Sequence, residues 1–196
     1  FISIQQREVL WKQGIDYGSD AIHYAETGEL VEGSAWKTVV AFYQASQLWP
    51  WTTINTTYQE LKNGGELGLI KDAIFREALS KYYTEGTGDE ADYILAFQPD
   101  YRKIVRGLTP SVASKQIWST CWKQTKADAQ FLLPNCPSPM SEAEAQKVLD
   151  AYMKDPKLLS ELRFWMANQG VAMTVIATNK SAVTAMLERM ERAAKP

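Results

Sequence analysis

The sequence predicts an all-α fold, a helical bundle whose long N- and C-terminal helices pack side by side with shorter helices between them. Three observations support this class. Residues 157–195 contain no proline and a single glycine, Gly170, so they can form one helix of roughly 57 Å. Residues 1–27 repeat apolar side chains at helical spacing, and no stretch shows the sustained apolar–polar alternation that is typical of strands. We therefore expect residues 1–196 to form a single helical domain.

The C-terminal helix carries a stripe that runs along most of its length. Its members recur at alternating spacings of three and four, which keeps one face turned toward partner helices. They are Leu162, Trp165, Gln169, Ala172, Ile176, Asn179, Val183, Met186 and Met190. The two amides, Gln169 and Asn179, are interpreted as side chains that fix helix register by bonding a neighbouring helix. The alternative is that they form the polar lining of a small cavity between helices.

The first helix, over residues 1–27, is expected to pack along that stripe. Its apolar face consists of Ile4, Trp11, Ile15, Gly18, Ile22 and Ala25, and Gly28 can end the helix with a positive φ. Gly14 and Gly18 lie four residues apart, so a neighbouring helix can approach this face closely, at some cost in helix propensity.

Proline, glycine and capping residues divide the chain between the long helices. A helix is predicted from Ala35 to about Leu48 after the cap Ser34, a second over 52–63 up to Gly64-Gly65, and a third from Asp72 to Tyr83. A fourth is predicted over 89–106, with a kink or break at Pro99. A fifth starts at Thr109-Pro110 with Thr109 as the cap, and a sixth covers 142–154 after the Ser141–Glu144 capping box. Asp155 is the predicted cap of the C-terminal helix. Trp49-Pro50-Trp51 is predicted to be a corner with both rings in the core, and a ligand-binding aromatic pair is the alternative.

The stretch from residue 57 to residue 83 carries a distinctive motif. It reads Thr57-Tyr58-x-x-Leu61-Lys62-x-x-Gly65-x-Leu67-x-Leu69-Ile70-x-Asp72, followed by Arg76, Leu79 and Tyr82-Tyr83. The motif resembles an uncharacterised family of bacterial single-pass membrane-anchored proteins. The resemblance implies a membrane helix before Phe1 and a helical soluble domain of unknown function after it, and it assigns no catalytic residues.

The same motif and the first residues of the chain also have a direct physical interpretation. The motif predicts a tight helical corner, in which the apolar residues Leu67, Leu69 and Ile70 dock in the core between two helices. Phe1, Ile2 and Ile4 fit the last turn of an apolar segment that precedes the chain, either a transmembrane helix or a signal peptide.

The two cysteines, Cys121 and Cys136, have no neighbouring cysteine or histidine at the spacing of a zinc site. They are either reduced thiols of a cytosolic protein or a disulfide in an oxidising compartment. We favour the disulfide, because Pro134 and Pro137 place Cys136 in an irregular loop. Their Cα atoms must then approach within about 7 Å, so the helix that holds Cys121 must end early, near Lys126, and residues 128–134 must fold back.

Several kinds of chemistry are disfavoured by composition. The net charge of −2, without a basic stripe, argues against a nucleic-acid partner. His23 is the single histidine, so sites built on several histidines are excluded, and no marked nucleophile lies near it in sequence. The sequence indicates no catalytic residue, no cofactor-binding residue and no metal ligand.

The function expected from these features is that of a periplasmic, extracytoplasmic domain tethered to the membrane. We expect a non-enzymatic sensor or interaction module of unknown ligand, which associates with a protein partner or with a second copy of the chain. The alternative is an enzyme that uses carboxylates or tyrosines in a pocket between helices. Acidic side chains with raised pKa values in a deep cleft would favour the enzyme, and an exposed apolar stripe would favour the interaction module.

Overall fold

Helices dominate the computed structural model of the chain, which describes residues 2–48, 55–84, 99–124 and 130–193. Eight α-helices lie in these ranges: α1 Ile2–Thr27, α2 Ala35–Ala45, α3 Thr56–Asn63, α4 Ala73–Thr84, α5 Asp100–Leu108, α6 Ser111–Thr120, α7 Glu142–Lys154 and α8 Leu158–Ala193. Two 3-10 turns, Val31–Gly33 and Glu66–Leu69, and a hairpin of β1 Trp122–Gln124 and β2 Gln130–Leu132 complete the described elements. The all-α class is confirmed.

The long helices α1 and α8 pack side by side and antiparallel. Near one end, Arg163 of α8 bonds Glu26 of α1 at 2.6 Å, and near the other, Lys180 bonds Glu8 at 2.6 Å. Helix α8 runs through Gly170 without a break. The predicted pairing of the two terminal helices is therefore confirmed.

Gly18 lies at a close contact between these two helices. A Cβ atom at Gly18 would overlap the Sδ atom of Met166 on α8, whereas a Cβ at Gly14 would meet no atom within 4 Å. Of the two glycines that the sequence marked for close approach, Gly18 has this role.

The stripe of α8 is buried along its first part and emerges toward its C-terminal end. Six of the predicted members are buried, namely Leu162, Trp165, Gln169, Ala172, Ile176 and Asn179. Val183 and Met186 are half-buried, and Met190 is 51% exposed. The end of α8 thus carries apolar side chains that the bundle does not cover.

Helix α2 forms the centre of the larger of two hydrophobic clusters. Every side chain from Ala35 to Ala45 except Lys37 is buried, and Phe42 contacts the ring of Tyr152 at a centroid distance of 5.2 Å. Trp165 of α8 closes this cluster and donates its indole N–H to the backbone oxygen of Ala45 at 2.8 Å. A smaller cluster between α1, α8 and β2 contains Ile4, Leu10, Trp11, Leu132, Ala172 and Ile176.

Most predicted helix starts are confirmed by their capping bonds. The Ser34 hydroxyl accepts from the backbone N–H of Lys37, and Asp72 accepts from that of Phe75 at 3.0 Å. The capping box of Ser141 and Glu144 is present, and the Asp155 carboxylate accepts from the backbone N–H of Leu158 at 3.1 Å.

The break expected at Pro99 is confirmed, because Pro99 has an extended backbone and lies at the N-cap of α5. Two other local predictions are corrected. Thr109 ends α5 instead of capping α6, since its hydroxyl donates to the Val105 backbone oxygen. Leu69, expected in the core, is 67% exposed. The corner Trp49-Pro50-Trp51 and residues 89–98 of a predicted helix lie outside the described residues.

Cys121 and Cys136 lie at disulfide distance, with Cα atoms 4.9 Å apart. Helix α6 ends at Thr120, before the predicted limit near Lys126, and the chain reverses through the β hairpin in which Lys123 pairs with Phe131. The fold-back that the pairing required is present. It is made by two three-residue strands, which are too short to show an alternating pattern in the sequence.

Candidate functional site

An apolar groove of about 440 Å³ lies between α4 and the C-terminal part of α8. Its walls consist of Ile74, Phe75, Ala78 and Tyr82 from α4 and of Thr178, Ala182, Ala185 and Met186 from α8. Alanines at 182 and 185 leave the space that larger side chains would fill. The groove therefore follows directly from the pairing of a small-residue face on α8 with a larger apolar face on α4.

Helix α4 is positioned by contacts at its N-terminal end. Asp72 caps the helix and also accepts a hydrogen bond from Nε of Arg189 on α8. The bond from Arg189, followed by that from the Phe75 backbone N–H, lowers the pKa of the Asp72 carboxyl. Arg76, in the first turns of α4, donates to the backbone oxygen of Ile70 at 2.7 Å and so holds the turn that precedes the helix. The resulting joint holds the start of α4 against the last turns of α8.

Among the residues that the structure describes, the charged side chains that line the groove are basic. They are Lys81 of α4 and Arg189 and Arg192 of α8. The ion pair of Arg192 with Glu188 spans 3.7 Å, and both side chains are more than half exposed, so it is a weak, solvent-screened interaction. The rim of the groove therefore carries basic groups around an apolar floor, and two of them lie in ion pairs, Arg189 with Asp72 and Arg192 with Glu188.

Large apolar side chains continue outward from the groove. Ile74 is 62% exposed, Met190 is 51% exposed and Leu187 is 39% exposed. Scattered apolar residues on a surface are ordinary, but exposed apolar side chains on the two helices that form an apolar groove are typical of an interaction site. Met186 and Met190 add flexible side chains that adapt to different partners.

Tyrosines pack at the C-terminal end of α4. The rings of Tyr58 and Tyr83 stack with centroids 4.6 Å apart, and Tyr82 contacts Tyr83 edge-on at 5.0 Å. Burial, and then the neighbouring Tyr83, raises the pKa of Tyr82, the tyrosine that lines the groove. A raised pKa keeps the phenol protonated, which is unfavourable for a general base.

The residues singled out in the sequence lie away from this groove. Gln169 is 4% exposed and Asn179 is 1% exposed, so both amides are buried, and neither lines the groove. His23 is exposed on α1 and its Nε2 lies 3.1 Å from the Glu29 carboxylate. The Cys121–Cys136 pair lies at the end of α6, beside the hairpin.

Acidic side chains line two open hollows among the described residues. Glu8 and Glu188 line one of about 490 Å³, beside Lys180. The carboxyl of Asp20 has a raised pKa because of its burial and of the nearby Asp16, but it lines a shallow hollow of about 290 Å³ beside His23. Within the described ranges, no three residues of histidine, cysteine, aspartate or glutamate come together as metal ligands would. None of the helices in these ranges combines the length and apolar character required to cross a bilayer.

Comparison with known proteins adds no further identification. No protein-family model, curated protein or solved structure matches the chain.

Sequence reasoning did not identify the groove, although its two faces are visible in the sequence. Ile74, Phe75, Ala78 and Tyr82 recur at helical spacing, as do Ala182, Ala185 and Met186. Of these residues, only Met186 belongs to the predicted packing stripe of α8, and periodicity shows that a face is apolar but not what covers it. A signal was nevertheless present, because the stripe of α8 continues beyond Asn179 to Val183, Met186 and Met190.

Proposed function

We propose that this chain is the extracytoplasmic, non-enzymatic interaction domain of a membrane-anchored protein, and that the α4–α8 groove binds an amphipathic helix with acidic residues along its edges. The observation that carries the proposal is the apolar groove whose charged lining residues, Lys81, Arg189 and Arg192, are all basic. A partner helix can place apolar side chains on the floor and carboxylates beside the basic rim.

The exposure of the groove favours a helix over a small molecule. Pockets for small ligands bury most of the ligand surface, whereas Ile74 at 62% exposure and Met190 at 51% exposure line an open face. The groove extends along α8 from Thr178 to Arg192, which is about 21 Å of helix. A partner helix of four turns would match that length.

The location outside the cytoplasm is supported by the cysteine pair. Structural disulfides persist in oxidising compartments and are rare in the cytosol. The membrane anchor is supported by the resemblance of residues 57–83 to a family with one N-terminal membrane helix. Fractionation of cells that express the complete gene tests both: we expect the protein in the membrane fraction, with Cys121 and Cys136 protected from alkylation before reduction. Recovery in the cytosol with two alkylated thiols would contradict the location.

Binding is tested with two designed helical peptides of 16 residues. Both carry leucine at positions i, i+3, i+4 and i+7, and their flanking positions are glutamate in one peptide and lysine in the other. We expect the glutamate peptide to bind in a fluorescence anisotropy titration, and the lysine peptide to bind about tenfold or more weakly because like charges meet at the rim.

The groove itself is tested by Ala182→Glu, which places a carboxylate on the apolar floor. This variant should lose binding of the glutamate peptide. Ala167→Glu is the matched control, because Ala167 is exposed on α8 and does not line the groove. Equal binding by Ala182→Glu and the parent would overturn the proposal. A dimer that sedimentation detects in the parent and not in Ala182→Glu would make a second copy of the chain the occupant.

A further inference from the structure

Two arginines one helical turn apart on α5 meet the C-terminal end of α2. Arg102 donates from Nη1 to the backbone oxygen of Ser46. Arg106 donates from Nε to the Ser46 hydroxyl at 3.0 Å and from Nη2 to the side-chain oxygen of Gln47 at 2.9 Å. Because both guanidinium groups bond the same serine, two positive charges are held next to each other.

The environment of this arginine pair is poorly solvated. Both side chains are half-buried, and the guanidinium of Arg106 lies over the ring of Tyr43 at 4.8 Å and over that of Trp118 at 5.4 Å. Burial, and then the charge of Arg106, lowers the pKa of Arg102 to about 10. Burial also lowers the pKa of Arg106. Both shifts indicate positive charge that its surroundings do not fully compensate.

Neither arginine is paired with a carboxylate among the described residues. Their hydrogen-bond acceptors there are the neutral oxygens of Ser46 and Gln47. The helices α2, α5 and α6 contain one acidic residue, Asp100, whose carboxylate bonds Lys103 at 3.0 Å. The C-terminal end of α2 contributes a partial charge of only about −0.5. Two guanidinium charges therefore exceed the negative charge that these helices supply.

The arginine pair also has hydrogen-bonding capacity to spare. A guanidinium carries five N–H donors in a planar fork. In the described structure Arg102 uses one donor and Arg106 uses two, so most of the donors remain for another acceptor. Parallel N–H groups of this kind match the paired oxygens of phosphate and carboxylate groups.

We propose that Arg102 and Arg106 form a binding site for a phosphate group, supplied either by free phosphate or by a lipid headgroup. A phosphate carries close to two negative charges near neutral pH, which matches two guanidinium groups, whereas a carboxylate neutralises only one. This site is separate from the α4–α8 groove and does not depend on the function proposed for it.

The test is a titration of the full chain with inorganic phosphate at constant ionic strength. Calorimetry measures the binding, and the melting temperature is measured at each phosphate concentration. We expect saturable binding tighter than about 1 mM. Arg102→Gln should weaken it about ten- to hundredfold, because bonds to charged groups are strong, and Arg102→Lys should restore part of the loss. Arg163→Gln, at an exposed ion pair with Glu26, is the control and should bind as the parent does.

A purely structural role for the arginines gives a different result. If the two arginines only cap α2, Arg102→Gln lowers the melting temperature by the same amount at every phosphate concentration. If they bind phosphate, the difference in melting temperature between the variant and the parent increases with phosphate concentration. Vesicles of phosphatidylcholine with and without phosphatidic acid identify the source, and Arg102-dependent binding to the phosphatidic acid vesicles alone assigns a headgroup. An Arg102-independent response, or one matched by sodium chloride, would overturn the proposal.

Discussion

At the scale of single residues, Glu142 has a role beyond its own helix. It lies in the first turn of α7, and its carboxylate accepts from the Ser34 hydroxyl at 2.8 Å and from the backbone N–H of Ala35 at 2.5 Å. A carboxylate at this position neutralises the positive end of α2 and bonds N–H groups that lack partners within the helix. Glu142 thereby connects the start of α7 to the start of the most buried helix of the bundle.

We predict that Glu142→Ala lowers the free energy of unfolding by about 1–2 kcal/mol, through loss of charge-assisted bonds at the α2 N-terminus. Urea unfolding followed by circular dichroism measures the change. Glu191→Ala, at an exposed position near the end of α8, is the control and should remain within about 0.5 kcal/mol of the parent. Equal effects at the two positions would show that Glu142 does not support α2.

Gly18 gives a second prediction at the residue scale. Gly18→Val should lower the free energy of unfolding by about 1–3 kcal/mol, because its side chain would overlap Met166 and force α1 and α8 apart. Gly14→Val on the same helix has free space around the new side chain and should be close to neutral. Thermal unfolding of both variants checks the difference. If Gly14→Val were the more destabilising, the assignment of the close contact would be wrong.

Local bonds could be predicted from the sequence, and long-range ones could not. The capping box of Ser141 and Glu144 joins residues three apart, so its pattern is visible in the chain. The bond from Ser34 to Glu142 joins residues 108 apart, and glutamate in a first helical turn has an adequate local explanation already. The sequence therefore explained Glu142 as part of its own helix start and missed its contact with α2.

At the scale of elements, α4 is joined to α8 by the contact of Asp72 with Arg189 and by the walls of the groove. Asp72 has two roles, as the cap of α4 and as the partner of Arg189. Since these bonds lower the pKa of Asp72 in the folded protein, they stabilise the α4–α8 contact above the usual aspartate pKa, and the contribution is lost as pH falls below it.

We predict that acidification from pH 6 to pH 3 lowers the protection of the α4 amides from hydrogen exchange, measured relative to the intrinsic rate at each pH, more in the parent than in Asp72→Asn. Asparagine retains the capping oxygen but carries no charge, so it removes the ion pair alone. Asp72→Ala removes the cap as well and should increase exchange in α4 already at pH 6. Exchange in α2 serves as the internal reference. The same pH response in the parent and in Asp72→Asn would exclude Asp72 as the titrating group.

The elements that were predicted correctly have strong boundary signals. Ser34, Asp72, Ser141 and Asp155 each start a helix as expected, because a short polar side chain there accepts from the exposed backbone N–H groups. The β hairpin was missed because three residues per strand are too few for a pattern. It is partly held by the amide of Gln13, which bonds both the N–H and the oxygen of Leu132 at 3.0 and 2.9 Å.

At the scale of the whole molecule, the Cys121–Cys136 bridge fixes the hairpin and the following loop. The hairpin inserts Leu132, which is 1% exposed, into the smaller hydrophobic cluster against α1. The loop accepts a bond from the indole of Trp36 at the backbone oxygen of Cys136, at 2.7 Å. The bridge therefore fixes a segment that contacts both hydrophobic clusters, the smaller one through Leu132 and the larger one through Trp36.

We predict that the double variant Cys121→Ala/Cys136→Ala loses about 3 kcal/mol of unfolding free energy, the value for a closed loop of this size in the chain-entropy model. Guanidinium unfolding of the variant and of the parent, with and without reductant, checks the value. The reduced parent should resemble the variant, which is the control for effects of alanine itself. Equal stability of the oxidised parent and the variant would mean that the bridge does not stabilise the fold.

The overall architecture was the most predictable feature and the binding surfaces the least. The stripes on α1 and α8 define the long pair, because burial along a helix repeats in the sequence. The groove depends on which face of α8 remains uncovered after α1 and α4 have packed. The pairing of Arg102 and Arg106 with Ser46 depends on where α5 crosses the end of α2. Such juxtapositions arise from tertiary packing and have no local pattern.

The antiparallel pairing of the first and last helices also determines when this protein can fold. Glu8 and Lys180, which bond across the pair, are separated by 172 positions. At about 5–20 residues per second, a ribosome needs roughly 10 to 30 s to synthesise the chain that separates them. During that time α1 can pack on α2, as in the contact of Tyr24 with Phe42, but the side of α1 that packs on α8 has no native partner. That side must be shielded from aggregation until α8 is made. Export of an unfolded chain, with folding on the far side of a membrane, is compatible with this order of events.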